Sequence, residues 1–346
     1  MNPIERTIRR FDGFQQRHRV LAFPFAVVKK FGDDQAGMYS SLIAYYGFFS
    51  LFPLLLVFVT VLGFVLEGNK QLQQSILDSA LAQFPVIGDQ IKGNIHSISG
   101  SGLSLVIGVL LTLWGGLGVM NAMQTGMNRV WDVPLRDRPN FWKSRVRALL
   151  MLILLGSASI AAAVIAGIIA AGGGSGAFTA LGYLLSLALN LGVFLVAFRI
   201  LTARNLTWGD VFPGAAVAAV AWLLLQALGG YIVGHQLKSA SQVYGVFAVV
   251  IGLLAWMALG ATMTLYAAEV NVVRKERLWP RSLVQPPLSE ADRKTYRRAA
   301  IQEERRPEES VAVQFDHESE EQAEHEDRKE RERIRDVEVK DASAET

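Results

Sequence analysis

The chain has 346 residues, 51% of them hydrophobic, a net charge of +3 and no cysteine. A soluble protein of this size interleaves charge along its whole length to wet its surface, but here charge is confined to the ends and to short connectors. Without cysteine, disulfides, thiolate metal sites, cysteine nucleophiles and acyl anchors on cysteine are excluded.

The small net charge hides a split. Residues 282–346 carry 12 Lys/Arg against 19 Asp/Glu, a net of −7, which leaves +10 on residues 1–281. The excess basic residues flank apolar segments, so anionic lipid headgroups are the expected partner and nucleic acid is not. The first 34 residues are polar and basic, and no cleavable signal peptide is expected there.

In chain order, residues 1–39 form a cytoplasmic amphipathic arm. Ile4, Ile8, Phe11 and Phe14 recur at helical spacing among arginines, and Pro24 divides them from Phe25, Val27, Val28 and Phe31. The pattern suits one or two helices on the inner leaflet, and equally a helix packed beneath a bundle. Beyond the arm, five windows lack Asp, Glu, Lys and Arg: 35–66, 93–128, 148–198, 211–237 and 239–268. A bilayer core of about 30 Å needs roughly 20 apolar helical residues. The third window, 51 residues long, must fold back, and Gly172-Gly173-Gly174-Ser175-Gly176 supplies the turn. The expectation is an all-α polytopic membrane protein whose six-helix domain occupies 40–273. Its spans lie near 40–66, 103–123, 148–171, 178–201, 209–234 and 243–268.

The connections alternate in basic content. Seven Lys/Arg precede the first span, two lie in 67–102, six in 124–147, none in 172–177, one each in 202–208 and 235–242, and four between 274 and 281. Basic residues mark the cytoplasmic side, which puts both termini inside. Trp131, Trp142, Trp208 and Trp279 flank spans on that side and are expected at headgroup depth. The 67–102 segment is the extracytoplasmic loop, with an apolar stripe of Leu72, Ile76, Leu77, Leu81 and Phe84 before Pro85. Residues 274–346 form a cytoplasmic charged tail, expected to be mostly disordered with a solvated helix near 320–337.

The five histidines are scattered, and no phosphate-binding loop, nucleophile elbow or HExxH sequence is present. No catalytic residue, metal site or cofactor is expected, and neither hydrolysis nor ATP-driven pumping by this chain. Polar residues inside spans carry more information, because their burial in lipid is costly. In the last span Gly245, Ala248, Gly252, Ala255, Leu259, Thr262, Tyr266 and Glu269 step by three and four onto one helix face. Its small half suits close helix packing and its polar half ends at Glu269, pointing into the bundle. Glu269 reads either as a coupling carboxylate in a cytoplasmic vestibule or as an interfacial partner of Arg129 or Arg199. Gln226 and Asn190 lie near mid-membrane and suit a hydrogen bond across helices or a ligand contact. Thr207-Trp208-Gly209-Asp210 matches a capping box opening span five. Pro53 frees the Phe49 carbonyl and marks a hinge in span one.

Three blocks resemble the YihY/BrkB family of bacterial inner-membrane proteins. Ser41 to Leu55 (SLIAYYGFFSLFPLL) is similar to that family's first-span signature, and Gly118 to Pro134 (GVMNAMQTGMNRVWDVP) to a second block. Tyr244 to Asn271 resembles its final-span block, with Ala268 where glycine is usual. The likeness runs in order over about residues 20–275. It implies the six-helix topology, an association with envelope integrity, and movement of lipids or lipid-linked envelope precursors. A ribonuclease BN label has also attached to the family, but the His/Asp clusters a zinc nuclease needs are missing from this sequence. Two classes of function follow: lipid or precursor transport, and a non-transporting scaffold that organises other envelope proteins. Substrate, energy source and oligomeric state are not legible.

Overall fold

The computed structural model describes residues 3–65, 102–171, 176–232 and 246–315, together with Lys329. Every regular element among them is helical. Two short helices come first, α1 (Pro3–Arg17) and α2 (Arg19–Asp33). Six long ones follow: α3 (Ala36–Val65), α4 (Gly102–Val130), α5 (Phe141–Ala171), α6 (Gly176–Leu201), α7 (Trp208–Ile232) and α8 (Val246–Glu276). A 3₁₀ turn at Leu135–Asp137 lies between α4 and α5, and α9 (Glu290–Ile301) closes the series. The expected loop helix in 67–102, the 172–175 turn and the tail helix near 320–337 lie outside the described residues.

The long helices match the expected spans to within a few residues at their turn ends, but several run further at the basic end. α4 continues to Val130 and α8 to Glu276, seven to eight residues past the expected limits. Both stop the same way. Asp132 (φ 50°) and Arg277 (φ 52°) take the left-handed conformation. The Val133 N–H then reaches the Asn128 carbonyl, and the Leu278 N–H the Val273 carbonyl. This is a Schellman closure made without glycine, in which buried Val133 and Leu278 supply the hydrophobic contact. Among the described residues, four helices are long and apolar enough by length and composition to cross a membrane: α5, α6, α7 and α8.

The chain divides into two compact units. The larger, Asp34–Val133 with Asp137–Asn271, is the long-helix bundle. Its helices alternate in direction. Gly126 near the end of α4 packs on Tyr39 near the start of α3 and on Leu265 late in α8. The Gln124 side chain donates to the Ser144 carbonyl at the start of α5, and the Gly214 N–H, at the start of α7, meets Asn271 at the end of α8. One end of the bundle therefore gathers the starts of α3, α5 and α7 and the ends of α4, α6 and α8. α3 and α4 approach closely because Gly115 and Gly118 have no side chain. A Cβ on either would lie 2.7 Å from Ser50 or Tyr46. The outer surface is apolar: Ile153 and Ile160 on α5, Tyr183 and Leu184 on α6, and Leu224 on α7 are all more than half exposed.

The smaller unit joins Met1–Asp33, Pro134–Arg136 and Val272–Thr346. Two expectations change here. The helix break falls at His18, and Pro24 sits inside α2, early enough that only the Val20 carbonyl loses its donor. The expected disorder does not describe residues 274–315, which fold against the N-terminal helices. Low apolar content predicts disorder for this stretch, whereas its charged and polar groups find buried partners in the arm. The Asp12 carboxylate accepts from the Leu283 and Val284 N–H groups at 3.0 and 3.3 Å, and Gln15 donates to the Arg281 carbonyl at 3.0 Å. α1 thus presents its polar side inward, leaving Ile8, Phe11 and Phe14 exposed.

Candidate functional site

α7 and α8 meet at the gathered end of the bundle. Pro213 lies inside α7 and breaks the local hydrogen-bond ladder. The next N–H, on Gly214, is taken up from outside the helix by Asn271 Oδ1 at 2.6 Å. Contact is so close that a Cβ on Gly214 would fall on the Ala267 carbonyl and the Asn271 side chain. Asn271 is 1% exposed and Glu269, two residues earlier, is 0% exposed. Thr264, also buried, donates to the Gly260 carbonyl at 2.8 Å. Residues 264–271 of α8, about two turns, thus carry three buried polar side chains.

The sequence placed Glu269 at the end of a continuous packed face, and the structure alters that face. Ala255 and Leu259 are exposed, Gly252, Thr262 and Tyr266 are half-buried, and only Glu269 is enclosed. The packed face of α8 runs one residue out of step, through Leu253, Gly260, Thr264, Ala267 and Asn271. The close approach is made by the facing helix and by a bulky residue on α8: a Cβ on Gly229 of α7 would strike the Trp256 ring. Gly245 and the side chain of Ala248 lie outside the described residues, as does the side chain of Pro53, which falls within α3. Among the described residues Asn190 bonds within its own helix. Its Nδ2 donates to the Ser186 carbonyl of its own helix at 2.8 Å, and Gln226 is half-buried on α7.

The loop from α6 to α7 is held from two sides. The Ala203 N–H donates to Asn128 Oδ1 at 2.7 Å, and Arg147 Nη1 to the Thr202 carbonyl at 3.3 Å. Thr207 and Asp210 form the expected capping box, N–H to carboxylate at 2.8 Å and N–H to hydroxyl at 3.3 Å. Arg199 lies over the Trp208 ring at 4.4 Å. Residues 202–207 with Arg147 and Arg199 enclose an open pocket of about 360 Å³. The sequence reading had counted these arginines as topology signals and missed the pocket, because Arg147 is 52 positions from Arg199 in the chain. Trp208 and Trp142 are exposed at this end, as expected of headgroup-level tryptophans, but Trp131 is fully buried.

In the smaller unit a second polar cluster surrounds Arg281, which is 0% exposed. Its guanidinium pairs with Asp292 at 2.6 Å and with Asp33 at 2.7 Å, while Lys29 reaches Asp292 at 2.9 Å. Burial alone would push the Asp292 carboxyl up. Hydrogen bonds from the Ser282 N–H, Ser289, Arg281 and Lys29 outweigh it and hold the group well below the usual carboxylate range. Burial likewise opposes the Arg281 charge, and Asp292 and Asp33 more than offset it. Asp292 also completes a capping box with Ser289 at the start of α9. The Ser-x-x-Asp pattern was legible in the sequence but was read as part of a solvated tail.

Long apolar helices, an apolar outer surface and a polar, basic end define an α-helical integral membrane protein. Residues 27–290 match the family model for virulence factor BrkB, so the chain belongs to the BrkB family. It is 24% identical over 274 residues to the inner membrane protein YhjD of Escherichia coli, covering 73% of this chain and 81% of that one. A UPF0761 membrane protein of Acinetobacter baylyi is 25% identical over 260 residues, 72% of this chain and 61% of the other. YfkH of Bacillus subtilis, which carries a provisional ribonuclease-like description, is 24% identical over 250 residues, 69% and 90% of the two chains. No solved structure matches.

Proposed function

We propose that this protein crosses the bacterial inner membrane six times with both termini in the cytoplasm, and that it moves lipids or lipid-linked envelope precursors across or out of that membrane. The observation that carries the reading is the buried polar stretch of α8, Thr264, Glu269 and Asn271, inside a bundle whose outside is apolar. A carboxylate enclosed within a membrane helix is costly and is kept where it serves a path or a coupling step. The alternating helix directions and the basic residues at the gathered end support the orientation. The exposed apolar side of α1, flanked by Arg9, Arg10 and Arg17, rests on the inner leaflet. The Pro53 region and the half-buried Thr262, Tyr266, Gln226 and Asn190 are candidates to line the route. No catalytic step belongs to the proposal.

The test is lipid movement in liposomes holding the purified full-length protein, read as loss of protection of a labelled lipid from a membrane-impermeant quencher. Wild type accelerates exchange between leaflets, and Glu269→Gln slows it by about tenfold with folding intact, the scale of one lost charge-dependent contact in a low-dielectric site. Absence of any acceleration, together with an intact envelope phenotype in cells carrying Glu269→Gln, Gln226→Leu and Asn190→Leu, would instead establish a scaffold.

A further inference from the structure

We infer that the pocket between α5, α6 and the α6–α7 loop is a binding site for a phosphate group, and that its occupant is the headgroup of an anionic phospholipid. Three arginines, Arg147, Arg199 and Arg204, line about 360 Å³ together with Thr202, Asn205 and Thr207. Arginine offers several fixed N–H donors and is the side chain best matched to phosphate oxygens. α5, α6 and residues 202–207 carry no Asp or Glu, and Asp210 in the first turn of α7 accepts the Thr207 N–H in the capping box. Two of the three are already placed: Arg147 by the Thr202 carbonyl and Arg199 by the Trp208 ring. The pocket also opens beside the start of α7, where the helix dipole adds positive potential.

The neighbouring surface distinguishes a lipid from a free anion. Next to the pocket, Trp208 and Phe212 lie one turn apart on α7, each about half exposed, and the exposed Val220, Leu224 and Leu228 continue an apolar outer surface further along and around the helix. A headgroup held by the arginines would lay its acyl chains along that surface, with Trp208 at the boundary between them. The volume suits a headgroup and excludes a whole lipid. Binding here depends on the membrane embedding proposed above and not on transport.

Native mass spectrometry of the full-length protein in detergent, titrated with dioctanoyl phosphatidylglycerol, dioctanoyl phosphatidylcholine and inorganic phosphate, tests the site. Phosphatidylglycerol is expected to bind in preference to phosphatidylcholine. The double change Arg199→Gln, Arg204→Gln is expected to weaken it about twenty-five-fold, at about fivefold for each arginine near a membrane surface. Lys143→Gln with Arg145→Gln removes the same charge at the same end, away from the pocket, and is expected to leave binding within twofold. Asn205→Glu puts a carboxylate at an exposed position in the pocket without touching an arginine, and is expected to abolish binding in a folded protein. Inorganic phosphate binding that the double change removes would support the same site with a free anion as its occupant. Equal losses in the two double variants would overturn the site, as would absence of both phosphate binding and preference between the two lipids. Each outcome is read without a transport assay, so failure of transport and failure of this site are separable.

Discussion

Asn271 does for Gly214 what the α7 backbone cannot. Pro213 interrupts the ladder, the glycine lets α8 come within reach, and the amide oxygen of Asn271 accepts the N–H at 2.6 Å. Replacing Asn271 by alanine leaves that donor buried and unmatched, a loss of about 1–3 kcal/mol. Asn271→Asp keeps the acceptor but introduces a charge into a buried site, so it is not a rescue. Thermal unfolding in detergent should therefore rank wild type above Asn271→Ala. A variant that melts with wild type would show that the contact contributes nothing. Legibility at this scale was uneven. Glu269 is enclosed, and its spacing pointed inward, because a carboxylate directly after a long apolar window has few other places to go. Asn271 was quoted only as part of a resemblance, since its role depends on Pro213, 58 positions away.

Among the elements, α8 shows why a small-residue stripe misleads. Gly252 and Ala255 share a face with Glu269 by spacing alone, yet the helix packs one residue around from them, where Gly229 of α7 receives Trp256. In a membrane helix small residues can face lipid at little cost, so periodicity fixes a face less firmly than it does in water. α9 teaches the converse. Its composition is that of a solvated helix, and its position comes from the buried pairing of Asp292 with Arg281 and Lys29. The pairing sets a pH dependence. The folded carboxyl of Asp292 lies below its unfolded value, so its contribution is complete above about pH 5, shrinks as pH falls through the usual carboxylate range and is gone only below the folded group's own, lower value. Asp292→Asn removes the carboxylate shared by Arg281 and Lys29, leaves Arg281 on Asp33 alone, and should cost about 3–5 kcal/mol locally. Limited proteolysis of residues 272–315 measures it: cleavage in wild type should rise as pH drops from 6 to 3. In the variant it should be high already at pH 7 and change little with acid. A wild-type profile flat to pH 3 would contradict the linkage.

For the whole molecule, charge in the connections carries the orientation, and the bundle gives it a physical basis. The starts of α3, α5 and α7 and the ends of α4, α6 and α8 share one end, and that end bears Arg129, Arg138, Lys143, Arg145, Arg147, Arg199 and Arg204. The order of the long helices among the described residues was legible because a helix long enough to cross a bilayer needs an uncharged window of fixed length. The folded layer of residues 272–315 on α1 and α2 was not, because pairing between ends of the chain some 250 residues apart leaves no local pattern. Natural absence of cysteine makes the orientation directly measurable. Single cysteines placed at Lys70, Arg138, Lys238 and Arg305 should divide into two sets in intact cells. Lys70→Cys and Lys238→Cys should react with a membrane-impermeant maleimide, and Arg138→Cys and Arg305→Cys only after the inner membrane is opened. Translocating either of the latter would set their neighbouring basic residues against the bias that holds short, Lys/Arg-rich connections inside. Labelling of Arg138→Cys from outside would invert the orientation. Protection of Lys70→Cys beside labelled Lys238→Cys would remove the first pair of spans and reduce the membrane domain to the four helices whose length and composition already suffice to cross.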